Sequence, residues 1–114
     1  MYAQLIYLDG PRTPELVAAG DRAGRERVAP AVAGDPVTRA AHIATYVLRQ
    51  PDGTEVVVII SETEAALQRG NEVVAGTTLL AGEDPALLPG PDRIETYQVV
   101  HALDRDFEPM EVRS

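Results

Sequence analysis

The chain has 114 residues and a formal net charge of -8, with 10 basic and 18 acidic side chains. That length fits a single domain with one hydrophobic core. The acidic charge and the lack of tryptophan argue against a nucleic-acid partner, because phosphate binding needs clustered cations and single strands favour aromatic platforms. The chain has no cysteine, which excludes disulfides, thiolate metal sites and a cysteine nucleophile.

No apolar stretch reaches the roughly 18 residues that cross a bilayer, so no membrane partner is predicted. The sequence runs directly into an apolar segment at residues 2–8 without a basic leader, and we therefore expect an unexported protein. A cysteine-free chain suits the reducing cytoplasm, which is the predicted location.

The first half of the chain predicts a strand, a helix and a long strand. The first strand covers residues 2–8 and ends at a turn over residues 9–11. Thr13 is a predicted N-cap and Pro14 suits the first helical position, so a helix is predicted from Pro14. It is expected to stop before Pro30, because the residue preceding a proline is disfavoured in a helix. A second strand is predicted over about residues 37–50.

The second half predicts a hairpin, a helix and a final strand. A turn at residues 51–53 leads into a strand at residues 54–60, whose consecutive apolar positions predict burial on both faces. The spacing from Ser61 to Glu64 predicts a capping box that opens a helix ending near Ala75. The last strand is predicted from Arg93 to about Asp104. The apolar, proline-rich loop at residues 76–92 is predicted to be either a plug over the core or a lid above a pocket.

The order strand, helix, strand, strand, helix, strand predicts an α+β, ferredoxin-like fold with an antiparallel sheet and both helices on one face. Residues 1–104 form this single domain, and residues 105–114 form a C-terminal tail that either docks on a partner subunit or frays. Several strands carry apolar residues on both faces, so the face without helices is predicted to pack against a second copy of the chain. The result is a homodimeric α+β barrel.

This layout, with the segments at residues 2–7, 53–58 and 93–100, resembles the dimeric α+β barrel superfamily and, within it, the antibiotic biosynthesis monooxygenase-like branch. The resemblance implies a small-molecule enzyme of secondary metabolism that acts on an aromatic or polyketide-like metabolite without a bound cofactor. Monooxygenase, cyclase and isomerase chemistry all occur in that superfamily. Its monooxygenases and haem-degrading enzymes typically carry a pocket tryptophan, and the lack of one here argues against those two activities.

Two histidine–tyrosine pairs are the candidate site. His42 and Tyr46 are four residues apart on the second strand, and Tyr97 and His101 are four apart on the last, so each pair is expected to share a face. Histidine beside tyrosine suits proton transfer to a carbonyl or phenol, which makes His101 and Tyr97 the predicted catalytic residues. His42, Tyr46 and Asn71 are the predicted substrate-binding residues. The alternative is an aromatic cluster that seals the dimer, with Asn71 in solvent.

No metal or cofactor is predicted, because His42, His101 and Glu95 lack a recognisable ligand spacing. The predicted inner faces of both helices are rich in small residues, including Gly20, Gly24 and Gly70. Glycine inside a helix costs about 1 kcal/mol relative to alanine, so either close packing or room for a ligand is required to explain them. Two hypotheses remain: a cofactor-free enzyme, or a non-catalytic barrel that binds a hydrophobic small molecule or serves as an accessory subunit.

Overall fold

The computed structural model describes residues 1–112 of the chain as an α+β domain around a four-stranded antiparallel sheet. The strands are β1 (Tyr2–Leu8), β2 (His42–Arg49), β3 (Glu55–Ser61) and β4 (Arg93–Gln98), in the spatial order β2-β3-β1-β4. The helices are α1 (Pro14–Ala23), α2 (Ala29–Gly34), α3 (Pro36–Ala41) and α4 (Glu64–Ala75), with a π-helical turn at Gly24–Val28 and a 3-10 turn at Pro85–Leu87. The predicted α+β class and antiparallel sheet are confirmed.

One face of the sheet lies against the helices. Arg49 Nη2 donates a hydrogen bond of 2.6 Å to Asp21 of α1, and Ser61 Oγ donates to the carbonyl oxygen of Ala41 in α3. Strand register places the same-face neighbours of these two residues on this side as well. We define the inner face by Tyr2, Gln4, Ile6, Leu8, Thr45, Val47, Arg49, Glu55, Val57, Ile59, Ser61, Ile94, Thr96 and Gln98.

The opposite face of the sheet is largely apolar and open. We define this outer face by Ala3, Leu5, Tyr7, Ala44, Tyr46, Leu48, Val56, Val58, Ile60, Arg93, Glu95 and Tyr97. On the two edge strands the exposed fractions of Tyr46, Leu48 and Tyr97 are 57%, 53% and 51%. Exposed apolar area of this kind is removed from water at a gain of about 25 cal/mol per Å². Covering the outer face would therefore be energetically favourable for the protein.

The apolar core is small. Among the described residues, the buried hydrophobic side chains are Ala23, Ala41, Ala66 and Leu67. The β3 residues predicted to be buried on both faces, residues 56–60, are only partly buried. That prediction is wrong for the single chain because the outer face has no cover and the helices above the inner face carry small side chains.

The first helical region continues through Pro30, so the prediction that it stops there is wrong. A π-helical turn precedes the proline, and the Ala29 N–H donates to the carbonyl oxygen of Gly24, five residues earlier. Proline lacks an N–H and its ring clashes with the carbonyl four residues back in a regular α-helix. The wider π turn removes that conflict, and α2 extends the helical region to Gly34.

The second strand is shorter than predicted, because Pro36–Ala41 forms α3 and β2 begins only at His42. Asp35 is the N-cap of α3 and Pro36 occupies its first turn. The predicted turn between β2 and β3 is confirmed: Gly53 has a φ of +90° and its N–H donates to the carbonyl oxygen of Gln50. A Cβ there would also lie 2.6 Å from the Arg12 carbonyl oxygen, so only glycine fits.

Two further predicted boundaries need correction. The N-cap of α4 is Thr63, whose Oγ1 accepts a hydrogen bond from Ala66 N, whereas Ser61 remains in β3; the predicted capping box is therefore wrong. β4 ends at Gln98, six residues before the predicted end. The Val99 N–H still donates to Met1, but β1 offers no further partner, so the chain leaves the sheet.

The chain after β4 folds into a small hairpin. Leu103 and Pro109 form a β-bridge, and Asp104 Oδ1 accepts hydrogen bonds from the backbone N–H groups of Asp106 and Glu108. Phe107, near the tip, has a φ of 62° and is 81% exposed. Most of the predicted tail is therefore ordered by its own hydrogen bonds, and residues 113 and 114 lie outside the described residues.

Asp35 connects α3 to α4. Its Oδ2 accepts hydrogen bonds from the backbone N–H and Oγ1 of Thr38, at 3.0 and 2.9 Å. Its Oδ1 accepts from Nε and Nη2 of Arg69, at 3.1 and 2.9 Å. The hydrogen bonds from Arg69, with those from Thr38, lower the pKa of Asp35 from 3.8 to about 2.

This lowered pKa predicts a defined acid sensitivity. Asp35→Asn keeps a capping side chain but loses the charge that faces Arg69, so we expect a lower melting temperature at neutral pH. A lowered folded-state pKa stabilises the fold above the unfolded pKa of 3.8, and this contribution is lost as the pH falls to about 2. The difference in melting temperature between wild type and variant should therefore shrink over that interval. A constant difference would contradict the assignment; Asp9→Asn, at an exposed site, is the control.

Candidate functional site

The first predicted pair, His42 and Tyr46, does not share a face. His42 lies opposite Ser61 while Ala44 lies opposite Ile60, so β2 advances by two residues where β3 advances by one. This bulge shifts the alternation, and Tyr46, opposite Val58, lies on the outer face whereas His42 is on the Ser61 side. The prediction of a shared face is wrong for this reason. His42 Nε2 is instead 2.8 Å from Oγ1 of Thr45.

Tyr97 belongs to a polar cluster on the outer face. Its hydroxyl donates a hydrogen bond of 2.9 Å to Glu95 Oε2, and Arg93 Nε donates to Glu95 Oε1 at 3.3 Å. The Arg93 guanidinium carbon lies 3.9 Å from the centre of the Tyr7 ring, a cation–π contact. We call Tyr7, Arg93, Glu95 and Tyr97 the outer-face cluster.

The hydrogen bonds of this cluster fix its protonation. The hydroxyl of Tyr97 lowers the pKa of Glu95, and the Glu95 carboxylate in turn raises the pKa of Tyr97. The Tyr7 hydroxyl raises the pKa of Arg93, which stays charged. At neutral pH the cluster therefore holds one anion, one cation and a Tyr97 hydroxyl that donates a proton in a hydrogen bond. The single proton of that hydroxyl is directed at Glu95, so Tyr97 can accept a hydrogen bond here but has no second proton to donate to a ligand.

The remaining predicted residues lie apart from this cluster. His101 is exposed and follows the end of β4, so the alternation of the strand does not extend from Tyr97 to it. Asn71 is exposed on α4. Tyr46 and Tyr97 share the outer face but lie on the two edge strands, which are three strand spacings or about 14 Å apart. One chain by itself therefore does not assemble the predicted residues into a single site.

The loop at residues 76–92 is anchored to the first helical region. Arg27, in the π-helical turn, donates to Glu83 Oε1 at 2.9 Å and to Thr77 Oγ1 at 2.7 Å, and the Glu83 side chain is 2% exposed. The hydrogen bond from the Leu80 backbone N–H lowers the pKa of Glu83, and the hydrogen bond from Arg27 lowers it further. Arg22 also donates to the Ala81 carbonyl oxygen at 2.8 Å. These contacts favour the predicted structural cover over a mobile lid.

Two open grooves occur on the surface. One, of about 340 Å³, lies between α1 and the anchored loop and is lined by Ala18, Ala19, Leu87 and Leu88 with polar residues around them. The other, of about 300 Å³, is lined by Met1, Ile43, Glu62 and Glu111. Neither groove is lined by the outer-face cluster or by the two histidines, so neither combines the predicted site residues.

Residues 1–112 contain neither a metal-binding cluster nor a membrane-spanning helix. In that part of the chain, no three or more His, Asp or Glu side chains are grouped so that they could hold a metal ion. None of the helices formed by these residues has both the length and the apolar character to cross a membrane.

Sequence reasoning missed two features of the candidate site. The alternation of Arg93, Glu95 and Tyr97 along β4 would have placed them on one face, but Tyr7 joins them only through the β1–β4 register. The second feature is Gln4, which is 2% exposed on the inner face. A polar residue inside the apolar β1 segment is the sequence signal that would have indicated it.

The chain matches no protein-family model, no curated protein and no solved structure.

Proposed function

We propose that this protein is a homodimeric, ferredoxin-like α+β barrel that binds a neutral, hydrophobic small molecule between its sheet and its helices. The observation that carries the proposal is the open, largely apolar outer face. An antiparallel sheet normally buries one face and exposes a polar one, whereas here the uncovered outer face is mostly apolar. The strand order β2-β3-β1-β4 also fits the ferredoxin-like arrangement.

A second copy of the chain is a suitable cover for the outer face. A two-fold interface uses the same patch on both subunits, so an apolar patch can cover itself. The charges on this patch, Arg93 and Glu95, already pair with each other. Burying them in a dimer therefore leaves no unpaired charge, which is the main electrostatic cost of such an interface.

The small-molecule part of the proposal rests on the interior. The inner-face residues Ile6, Val57 and Ile59 lie on the two central strands, where a packed two-layer domain buries its side chains, yet they remain partly exposed. The helices on this side carry small residues, including Gly20, Gly24 and Gly70, which limits how much of these side chains they cover. The absence of cysteine agrees with a role in the reducing cytoplasm.

Sedimentation equilibrium of the purified chain tests the proposal. We expect a mass of twice the 12.2 kDa of one chain at micromolar concentration, with no change on moderate addition of salt, because the interface is apolar. A stable monomer under these conditions would contradict the dimer and the barrel together.

A second candidate is catalysis, and the outer-face cluster is the observation that favours it. In the proposed dimer this cluster is enclosed by the partner sheet, which strengthens its electrostatic interactions. The candidate reaction is monooxygenase, cyclase or isomerase chemistry on an aromatic or polyketide-like metabolite, with His101 as base and with Tyr97 as the acid once its hydroxyl turns from Glu95 to the substrate. Turnover of hydroxylated aromatic compounds, followed by mass spectrometry, tests it. Activity that survives both His42→Ala and His101→Ala would contradict the acid/base roles.

A further inference from the structure

The groove between α1 and the loop at residues 76–92 has walls that the protein itself ties together. Its volume of about 340 Å³ falls at the lower end of the roughly 300–1,000 Å³ range of small-molecule sites. Arg22 Nη2 donates to the Ala81 carbonyl oxygen at 2.8 Å, and Arg27 Nε donates to Glu83 Oε1 at 2.9 Å. Because these bonds fix the loop against the first helical region, a ligand would not have to order the loop in order to bind.

The lining of this groove is mainly apolar. Ala18 and Ala19 line it from α1, and Leu87 and Leu88 line it from the loop. Ala18 is exposed and the two leucines are half-buried, so part of their apolar surface is in contact with water. An apolar group that entered the groove would remove this surface from water, which is favourable.

The charges around this apolar lining are mostly negative. Glu15 of α1 and Asp84 of the loop line the groove, are exposed, and make no ion pair within residues 1–112. Asp84 Oδ1 accepts a hydrogen bond of 2.9 Å from the Ala86 N–H, which leaves its second carboxylate oxygen for another donor. Of the lining residues that the structure describes, Arg22 is the one cation, and its Nε donates to Glu26 at 2.9 Å.

This combination favours a cation with an apolar body. The third acid in the lining, Glu83, is paired with Arg27, so Glu15 and Asp84 carry the uncompensated charge of the groove. A cleft lined by one sign of charge concentrates ions of the opposite sign. A neutral ligand would gain only from apolar contact, and an anion would be repelled by both carboxylates. The net charge of -8 of the whole chain acts in the same direction.

We propose that the groove between α1 and the loop binds a small organic cation, an ammonium group carried on an apolar chain. The chain lies against Leu87 and Leu88, and the ammonium group lies beside Glu15 and Asp84. An ammonium group has three hydrogen-bond donors and no acceptor, which matches carboxylate oxygens. None of the lining residues belongs to either face of the sheet, so this site is additional to the proposed function and does not require the dimer.

Three probes with the same apolar chain test the charge preference of the wild-type protein: n-hexylammonium, 1-hexanol and hexanoate. We expect hexylammonium to bind most tightly and hexanoate most weakly in an NMR titration. Sodium chloride should weaken hexylammonium binding and leave hexanol binding nearly unchanged, because salt screens exposed charges. Equal affinities for hexylammonium and hexanol, or no binding of hexylammonium below about 10 mM, would overturn the inference.

The double variant Glu15→Gln, Asp84→Asn removes both charges and keeps the side-chain shapes, and asparagine can still accept from the Ala86 N–H. Since each exposed ion pair contributes modestly, we expect about tenfold weaker hexylammonium binding and unchanged hexanol binding. Glu64→Gln, Asp106→Asn is the matched control, because it removes two charges at exposed positions outside the groove. Equal losses in the two double variants would assign the effect to net charge and overturn the inference.

Ala18→Leu tests the apolar part of the site. The position is exposed and leucine is a good helix former, so the variant is expected to fold. The larger side chain occupies part of the groove, and the affinities for hexylammonium and hexanol should both fall about tenfold. If both affinities are unchanged, the probes bind elsewhere and the inference fails.

Methyl NMR locates the bound hexylammonium. Shifts at Ala18, Leu87 and Leu88 support the proposed groove. Shifts confined to Met1 and Ile43 would place the probe in the second groove and overturn the inference. Sedimentation of the same samples keeps the two proposals apart, since a monomer that binds hexylammonium in this groove supports the present inference and contradicts the proposed dimer.

Discussion

Tyr46→Arg is expected to convert the proposed dimer into monomers, whereas Val47→Arg should leave it intact. The two residues are neighbours on β2 and have nearly equal exposed fractions of 57% and 56% in the single chain. They differ in the face that they occupy, since Tyr46 lies on the outer face and Val47 on the inner face. An unpaired charge buried in an apolar interface costs several kcal/mol, which predicts at least a hundredfold weaker association.

Sedimentation of both variants at matched concentration measures this effect, with far-UV circular dichroism as the check on folding. In the monomer the two arginines are equally solvated, so a difference between the variants reports association alone. Two dimeric variants would show that the outer face is not the interface. Two monomeric variants would instead indicate association through the edge of β2.

The starts of α1 and α3 are features that the local sequence predicts. Thr13 followed by Pro14 predicted the start of α1, and Asp35 followed by Pro36 carries the same signal for α3. The strand predicted over residues 37–50 conflicts with this second signal, because the residues after Pro36 also suit a strand that continues into β2. The N-cap residues of both helices accept hydrogen bonds from nearby backbone N–H groups, so these starts depend only on local sequence.

Other features depend on contacts that the sequence does not specify locally. Pro30 ends a regular α-helix by its own stereochemistry, and only the preceding π turn allows the helical region to continue. The bulge after His42 similarly separates a pair that strict alternation would have kept together. Both are one-residue irregularities, and one residue is enough to rotate a helix face or reverse a strand face.

The candidate site was predictable in part for the same reason. Alternation along β4 is sufficient to place Tyr97 on the same face as Glu95. Placing His101 on that face as well would require β4 to continue past Gln98, where it ends. The strand ends at Gln98, opposite the first β1 residue, Tyr2, and beyond that pair only the Val99 N–H is bonded to Met1. The length of a strand is set by its neighbour, which a single segment does not reveal.

Glu55 links three elements at the end of the sheet. It is 8% exposed on the inner face, opposite Arg49 of β2, whose Nε donates to Glu55 Oε1 at 2.8 Å. Arg12, just before α1, places Nη1 3.8 Å from the same oxygen and also donates to the Gly53 carbonyl oxygen in the hairpin turn. Arg49 continues the network to Asp21 of α1, and the Glu55 hydrogen bond raises the pKa of Arg49.

Glu55→Gln is therefore expected to destabilise the fold by about 3 kcal/mol, because it leaves the Arg12 and Arg49 guanidinium groups in a partly buried site without their shared anion. Urea unfolding measures the change in the free energy of unfolding. Glu72→Gln is the matched control, since Glu72 pairs with Arg69 one helical turn away at a side-chain exposure of 70%, where an ion pair contributes little. Equal, small effects in both variants would mean that solvent screens the Glu55 network as fully as a surface pair. A large effect confined to Glu55 would identify the network as the link that holds the hairpin turn and α1 to the sheet.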